Sequence, residues 1–315
     1  MPFSPRLRWK LDQIRKKTSS AFAGQKEPPR PKLCPSCGTL VGASRTRCHQ
    51  CGANLNFSIA AASKSLGRLM PATSPATYAI LVVDCLLYVV CLLATIRETG
   101  FSAPGGGISG IFDIGGIVGN VLVKLGESLP FQLILGYRQP WRYVTAIFLH
   151  ASLLHIVFNM WVLMDVGPGI EELYGSARYF FIYITTGVAG FVVSSAIGGN
   201  VSVGASGALL GLIGVMLANT FGRRGAGAQM IRSQIYIWLI LLVVWGFMPG
   251  MNVDNYAHVG GFATGFVLGK LMEDRPPITP ESRKLAYMLG WAAALVVLGS
   301  FVAMALWLHQ VDLAS

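Results

Sequence analysis

The chain has 315 residues, of which 53% are apolar and 12% charged. Soluble domains carry about 25% charged residues, so an ordinary water-soluble enzyme is excluded and a chain housed mostly in lipid is indicated. The net charge of +11 is concentrated at one end: residues 1–70 hold 13 Lys and Arg against Asp12 and Glu27, while basic and acidic residues balance in the remainder.

A basic head marks the cytoplasmic side of a membrane, where anionic lipid attracts it. No aromatic-interleaved basic surface follows, so nucleic acid is not an expected partner. Within residues 6–17 (RLRWKLDQIRKK), Leu7, Leu11 and Ile14 share one helical face ringed by cations. That segment reads either as an amphipathic helix on anionic lipid or as a solvated basic tail. An Arg-rich, acid-poor start also suits a mitochondrial transit peptide, but the cysteine cluster behind it reads as a retained domain. Residues 1–32 form this tail and a stiff linker, EPPRPK.

Residues 33–56 carry Cys34-Pro-Ser-Cys37-Gly38 and, after ten residues counted from Gly38, Cys48-His-Gln-Cys51-Gly52. Each knuckle can wrap a metal because the following glycine tolerates the turn. Four thiolates satisfy tetrahedral zinc and leave no open position. A short zinc ribbon with structural Zn2+ is therefore expected, kept metallated in a reducing compartment. No cofactor is expected for catalysis. His49 is expected to face solvent, and residues 57–77 form a linker. The first 70 residues contain no apolar h-region, so the first span is expected to serve as its own insertion signal.

From residue 78 onward apolar runs recur at lengths able to cross a bilayer, roughly 17–25 residues. Spans are predicted near 78–96, 143–164, 178–197, 204–221, 234–248, 256–272 and 285–308. The architecture is thus an all-α polytopic membrane protein, with six core helices over 78–272 and a seventh over 273–315. Cys85 and Cys91 in the first span read as small packing residues rather than a bridge. The Gly-rich stretch 97–140 is too polar and broken to span and is expected to rest in the interface. Arg178, then Arg223, Arg224 and Arg232, then Lys270, Arg275, Arg283 and Lys284 fall in alternate connections. Placing these inside puts the N-terminus in the cytoplasm and the C-terminus outside. A bacterial plasma membrane is the expected location.

Under that topology Ser206 and His258 share a depth near the outer ends of the fourth and sixth spans. Polar groups within spans are costly and usually have a task. Gly204, Gly207, Gly211 and Gly214 leave the start of the fourth span nearly bare, and His258, Gly261, Gly265 and Gly269 share one face of the sixth. Smooth faces let helix backbones approach closely. Simple packing explains the glycines, but not the titratable ring in their stripe. A serine hydroxyl becomes a useful nucleophile when a base takes its proton, and a near-neutral histidine can do so. His155 and Asn159, at i and i+4 on the second span, are donors suited to an oxyanion, with the Ser206 amide as a third.

Trp141-Arg142, His150, His155-Ile-Val-Phe-Asn159, Glu171 with Gly175, Gly204-Ala-Ser206-Gly207 and Ala257-His258-x-x-Gly261-x-x-x-Gly265 occur in that order. Over roughly residues 78–272 the chain resembles a rhomboid protease. The resemblance implies a Ser–His dyad, without a required acid, that cleaves transmembrane protein substrates near their outer ends. It implies Ser206 as nucleophile and His258 as general base. His155, Asn159 and the Ser206 amide become the oxyanion hole, and His150 lies close to the water supply. Trp141 and Arg142 resemble the family's structural loop, Glu171 its loop-fixing acid, and the last span the six-plus-one variety. Where the family often has an aromatic residue four positions after the nucleophile, this chain has Leu210, which can still pack against the histidine. Asn255 is expected to help orient the site. Asp254 reads as a loop residue, Asp84 as paired with a polar partner, and Asp165 as the cytoplasmic end of span two, so no hidden triad is expected. The alternatives are a rhomboid-like pseudoprotease that binds membrane helices without cutting, and a broken-helix transporter, whose internal symmetry is not visible here.

Overall fold

The computed structural model describes residues 32–33, 39–42, 45–50, 74–99, 115–221, 223, 225–246 and 253–314. The chain divides into two compact units, Met1–Leu69 and Met70–Ser315. In the first, β1 (Lys32–Leu33) pairs antiparallel with β2 (Leu40–Val41), Lys32 opposite Val41. Val41 and Cys48 are buried there. Cys34, Cys37 and Cys51 lie outside the described residues, as does the basic segment 6–17.

The second unit is helical. Its described elements in chain order are α1 (Pro75–Thr99), α2 (Gly119–Lys124), α3 (Phe131–Tyr137), α4 (Arg142–Thr145), a 3-10 turn (Ala146–Phe148), α5 (Leu153–Tyr174), α6 (Ser176–Val193), a π turn (Ser194–Gly198), α7 (Ser206–Thr220), α8 (Ala226–Gly246), α9 (Asn255–Leu271) and α10 (Pro280–Ala314). Among the described residues, four stretches are long and apolar enough to cross a membrane: Pro75–Thr99, Leu153–Tyr174, Ser176–Gly198 and Pro280–Val311. Ser206–Thr220 is a shorter apolar helix.

The polarity of α1 is inverted relative to a soluble helix. Thr77, Asp84, Tyr88 and Thr95 are buried, while Val82, Leu86, Val89, Val90 and Leu93 lie exposed. Water would penalise that arrangement and lipid favours it, which makes this an integral membrane protein. By contrast α7 is buried along almost its whole length, from Gly207 to Val215. A helix apolar all round belongs at the centre of a bundle, and α5, α6, α8 and α9 pack around it.

Several boundaries differ from the sequence reading. The second span runs over 153–174 rather than 143–164, because Ser152 in extended conformation accepts a bond from His155 N and starts the helix there. Residues 142–148 form α4 and the 3-10 turn instead. Asp165 consequently lies mid-helix, and α5 continues through Pro168 to Tyr174. The fifth helix begins at Ala226, eight residues before the predicted 234, and includes Arg232. That guanidinium bonds to the carbonyls of Ala228 and Arg223, so a charge that looked like a loop marker sits in the second helical turn. The interfacial stretch contains α2 and α3. Cys91 is packed inside but Cys85 faces outward, and neither forms a disulfide.

Candidate active site

The site is built where α7 and α9 meet backbone to backbone. A β-carbon at Gly261 would fall against the carbonyl of Gly207, and one at Gly265 against the carbonyl of Gly211. Gly269 faces Val215 in the same seam, and Gly214 faces the carbonyl of Phe262. On the other side of α9, a β-carbon at Gly190 of α6 would come 2.6 Å from the Ala257 carbonyl. These approaches, permitted only by missing side chains, place the first residue of α7 beside the first turn of α9. Ser206 Oγ lies 2.7 Å from His258 Nε2. His258 is buried, and Ser206 is partly accessible.

His258 Nδ1 has no hydrogen-bond partner among the described residues. The nearby acid, Asp254, has a different task. Its Oδ1 accepts from Ala257 N at 3.0 Å, so this loop residue caps α9. It also accepts from Ser194 Oγ of the π turn and, at 3.4 Å, from Asn200 Nδ2. The Asn255 amide donates to the Gly246 carbonyl, at 3.3 Å, and ties α9 to the end of α8. Asp84, expected to be paired, is fully buried with both carboxyl oxygens lacking a partner among the described residues.

Donors gather around the loop segment that leads into Ser206. Gly204 has φ of +123°, and a β-carbon there would sit 2.6 Å from His155 Nε2 and 3.8 Å from Asn159 Nδ2. Only glycine fits both the conformation and the space. The Ala151 amide donates to His155 Nδ1 at 3.4 Å, an arrangement that puts the ring proton of a neutral imidazole on Nε2. Asn159 donates one amide N–H to the His155 carbonyl at 2.9 Å and keeps a second. His150 is fully buried in the turn before α5, edge-on to His155 with 5.1 Å between centroids. Leu210 is buried in the core of the bundle.

The supporting residues are anchors. Glu171 lies inside α5 and accepts from Ala76 N, Thr77 N, Thr77 Oγ1 and Ser176 Oγ at 2.6–2.8 Å, capping α1 and fixing the α5–α6 corner. Arg142, fully buried, donates to Gln139 Oε1 at 2.6 Å and to the carbonyls of Val123 and Glu127 at 2.8 and 3.1 Å. Its guanidinium carbon lies 4.8 Å from the Trp141 ring. Burial lowers the Arg142 pKa to about 10, with Glu127 opposing; burial pushes the Glu127 carboxyl up to about 7, with Arg142 opposing. Gln139, Glu127, Gly190 and Ser194 are parts the sequence reading missed. The cap at Asp254 had a visible signal, an acid immediately before an apolar helix; the others had none.

Residues 137–275 match the Rhomboid domain family model. That stretch of the chain is similar to a rhomboid domain. Among curated proteins, RHOMBOID-like protein 7 of Arabidopsis thaliana is 34% identical over 182 residues, covering 54% of this chain and 55% of that protein. Rhomboid-like protease 2 of Toxoplasma gondii is 30% identical over 186 residues, 58% of this chain and 65% of its own length. Rhomboid protease GluP of Bacillus subtilis (strain 168) is 36% identical over 126 residues, 40% of this chain and 25% of its own length. The chain thus spans about half the length of RHOMBOID-like protein 7. The matched rhomboid domain contains Ser206, His258, His155, Asn159, His150, Glu171 and the glycine seam.

Proposed function

We propose that the chain is an intramembrane serine endopeptidase that cleaves transmembrane proteins near the outer membrane face through a Ser206–His258 dyad. The observation that carries this reading is the 2.7 Å contact between Ser206 Oγ and His258 Nε2 inside a rhomboid domain. Nε2 takes the hydroxyl proton as Oγ adds to the scissile carbonyl. The oxyanion is met by the Ser206 N–H, His155 Nε2–H and the remaining N–H of Asn159. Collapse breaks the C–N bond, and the amine leaves with the proton from His258. Water, deprotonated by the same ring, then frees the acyl group from Ser206. The inactive-relative alternative is disfavoured by the presence of both dyad residues.

On the same footing we place the N-terminus in the cytoplasm and the C-terminus outside, by the distribution of Lys and Arg. The bacterial plasma membrane stays a reading of the sequence alone, since the relatives come from Arabidopsis, Toxoplasma and Bacillus. A structural zinc on Cys34, Cys37, Cys48 and Cys51 is supported by their spacing. Contact of the basic tail with anionic lipid rests on its charge.

A fluorophosphonate probe tests the dyad. The wild-type protein should be labelled and Ser206→Ala should not; equal labelling of both would end the proposal. Finding no zinc by metal analysis of the purified protein would remove the ribbon without touching the protease reading.

A further inference from the structure

The last helix, α10, lies after the rhomboid match, yet it packs on elements that hold the segment leading into Ser206. Its inward residues recur at Ala286, Gly290, Ala293, Val297, Ser300, Phe301 and Trp307. The stripe is small toward its start, where a β-carbon at Gly290 would lie 2.8 Å from the Ala177 side chain of α6. It is aromatic toward its end. Trp307 stands 6.0 Å from Trp141, and the Arg142 guanidinium carbon lies 5.1 Å from the Trp307 ring. Arg142 is therefore shared between two indole faces, an attraction strengthened because its charge is buried. One turn and a half earlier, Phe301 packs 5.8 Å from Phe148.

Both contacts land on elements that hold the loop segment before Ser206. Arg142 donates to the Glu127 carbonyl, and the next residue, Ser128, exchanges two backbone bonds with Ser202 at 2.9 and 3.1 Å. Phe148 closes the 3-10 turn whose Ala146 carbonyl accepts from Gly204 N at 2.9 Å. Ser202 and Gly204 are four and two residues before Ser206. The remaining outward side of α10, including Trp291, is exposed.

We propose that α10 is a brace for the candidate active site, with Trp307 a positioning residue that acts through Arg142 and the Ser128–Ser202 pairing on the placement of Ser206. The inference rests on the dyad reading. Removing the indole face frees Arg142 and loosens the segment into the nucleophile, which slows reaction at Ser206 without altering the groups that react.

The experiment measures the rate of fluorophosphonate labelling of the full chain in detergent, together with kcat and KM for a transmembrane substrate. Trp307→Leu keeps apolar bulk but has no aromatic face; Trp307→Phe keeps a face. Trp307→Leu should label about two- to thirtyfold more slowly than wild type, the range cation–π contacts cover from exposed to desolvated sites. The loss should lie in kcat with KM unchanged, and Trp307→Phe should recover most of it. Trp291→Ala, on the outward side of the same helix, should label at the wild-type rate. Equal rates for Trp307→Leu and Trp307→Phe, fast or slow, would overturn the brace. A wild-type protein that takes no label would instead overturn the dyad reading.

Discussion

The carbonyl of Gly207 occupies the place where a β-carbon on Gly261 would fall. This single juxtaposition between α7 and α9 explains why Ser206 and His258, 52 residues apart, stand within a hydrogen bond. Replacing Gly261 with Val should cost about 1–3 kcal/mol through overpacking, and should suppress fluorophosphonate labelling by spreading the dyad. Gly227→Ala, in a helix where a β-carbon meets nothing within 4 Å, should be neutral or stabilising by about 0.5–1 kcal/mol. Thermal denaturation of the two variants checks the contrast.

Loss of either dyad residue should be far more damaging to chemistry than to folding. Ser206→Ala and His258→Ala should each reduce substrate cleavage by at least about a thousandfold, with unfolding temperatures near wild type. Gel-based cleavage of a helical substrate carrying small residues near its outer end measures the first quantity. Residual cleavage at the wild-type rate would remove the proposed roles.

Asp254 should behave as a helix cap and not as a catalytic acid. Asparagine caps as well as aspartate, so Asp254→Asn should keep near-wild-type labelling. A true triad acid would lose about ten-thousandfold on the same change. Asp254→Ala should lower stability by about 1 kcal/mol from the cap alone, and further through the lost bonds from Ser194 and Asn200.

Glu171 accepts four hydrogen bonds from three residues, Ala76, Thr77 and Ser176. A glutamine there turns one acceptor into a donor facing other donors. Glu171→Gln should therefore destabilise the protein by about 3 kcal/mol, read as earlier thermal unfolding, with the dyad chemistry intact in the protein that stays folded.

Glu127 supplies a pH signature. Its carboxyl is raised from 4.5 to about 7, chiefly by burial, so the folded chain holds this proton more tightly than the unfolded one. Its contribution to stability is complete below pH 4.5 and is lost as pH rises through about 7. Unfolding temperature should fall across that window in wild type, and Glu127→Gln should fall less. A slope unchanged by the substitution would show that another group governs it.

Read from the chain alone, the membrane class and the approach of Ser206 to His258 were accessible, because hydropathy and a glycine stripe are local and periodic properties. The same holds for His155 and Asn159, which share a helical face by spacing. Of the seven spans expected, four described stretches are long and apolar enough to cross a membrane. Boundaries were not accessible where a cap or a charge bonded within the helix overrode hydropathy, as at Ser152 and Arg232. The tertiary structure alone decided that Asp254 caps α9, that Glu171 ties α5 to α1, and that Arg142 lies between Trp141 and Trp307. Those roles depend on which backbone donors and ring faces arrive from distant segments, 165 residues away between Arg142 and Trp307, and no local pattern encodes that arrival.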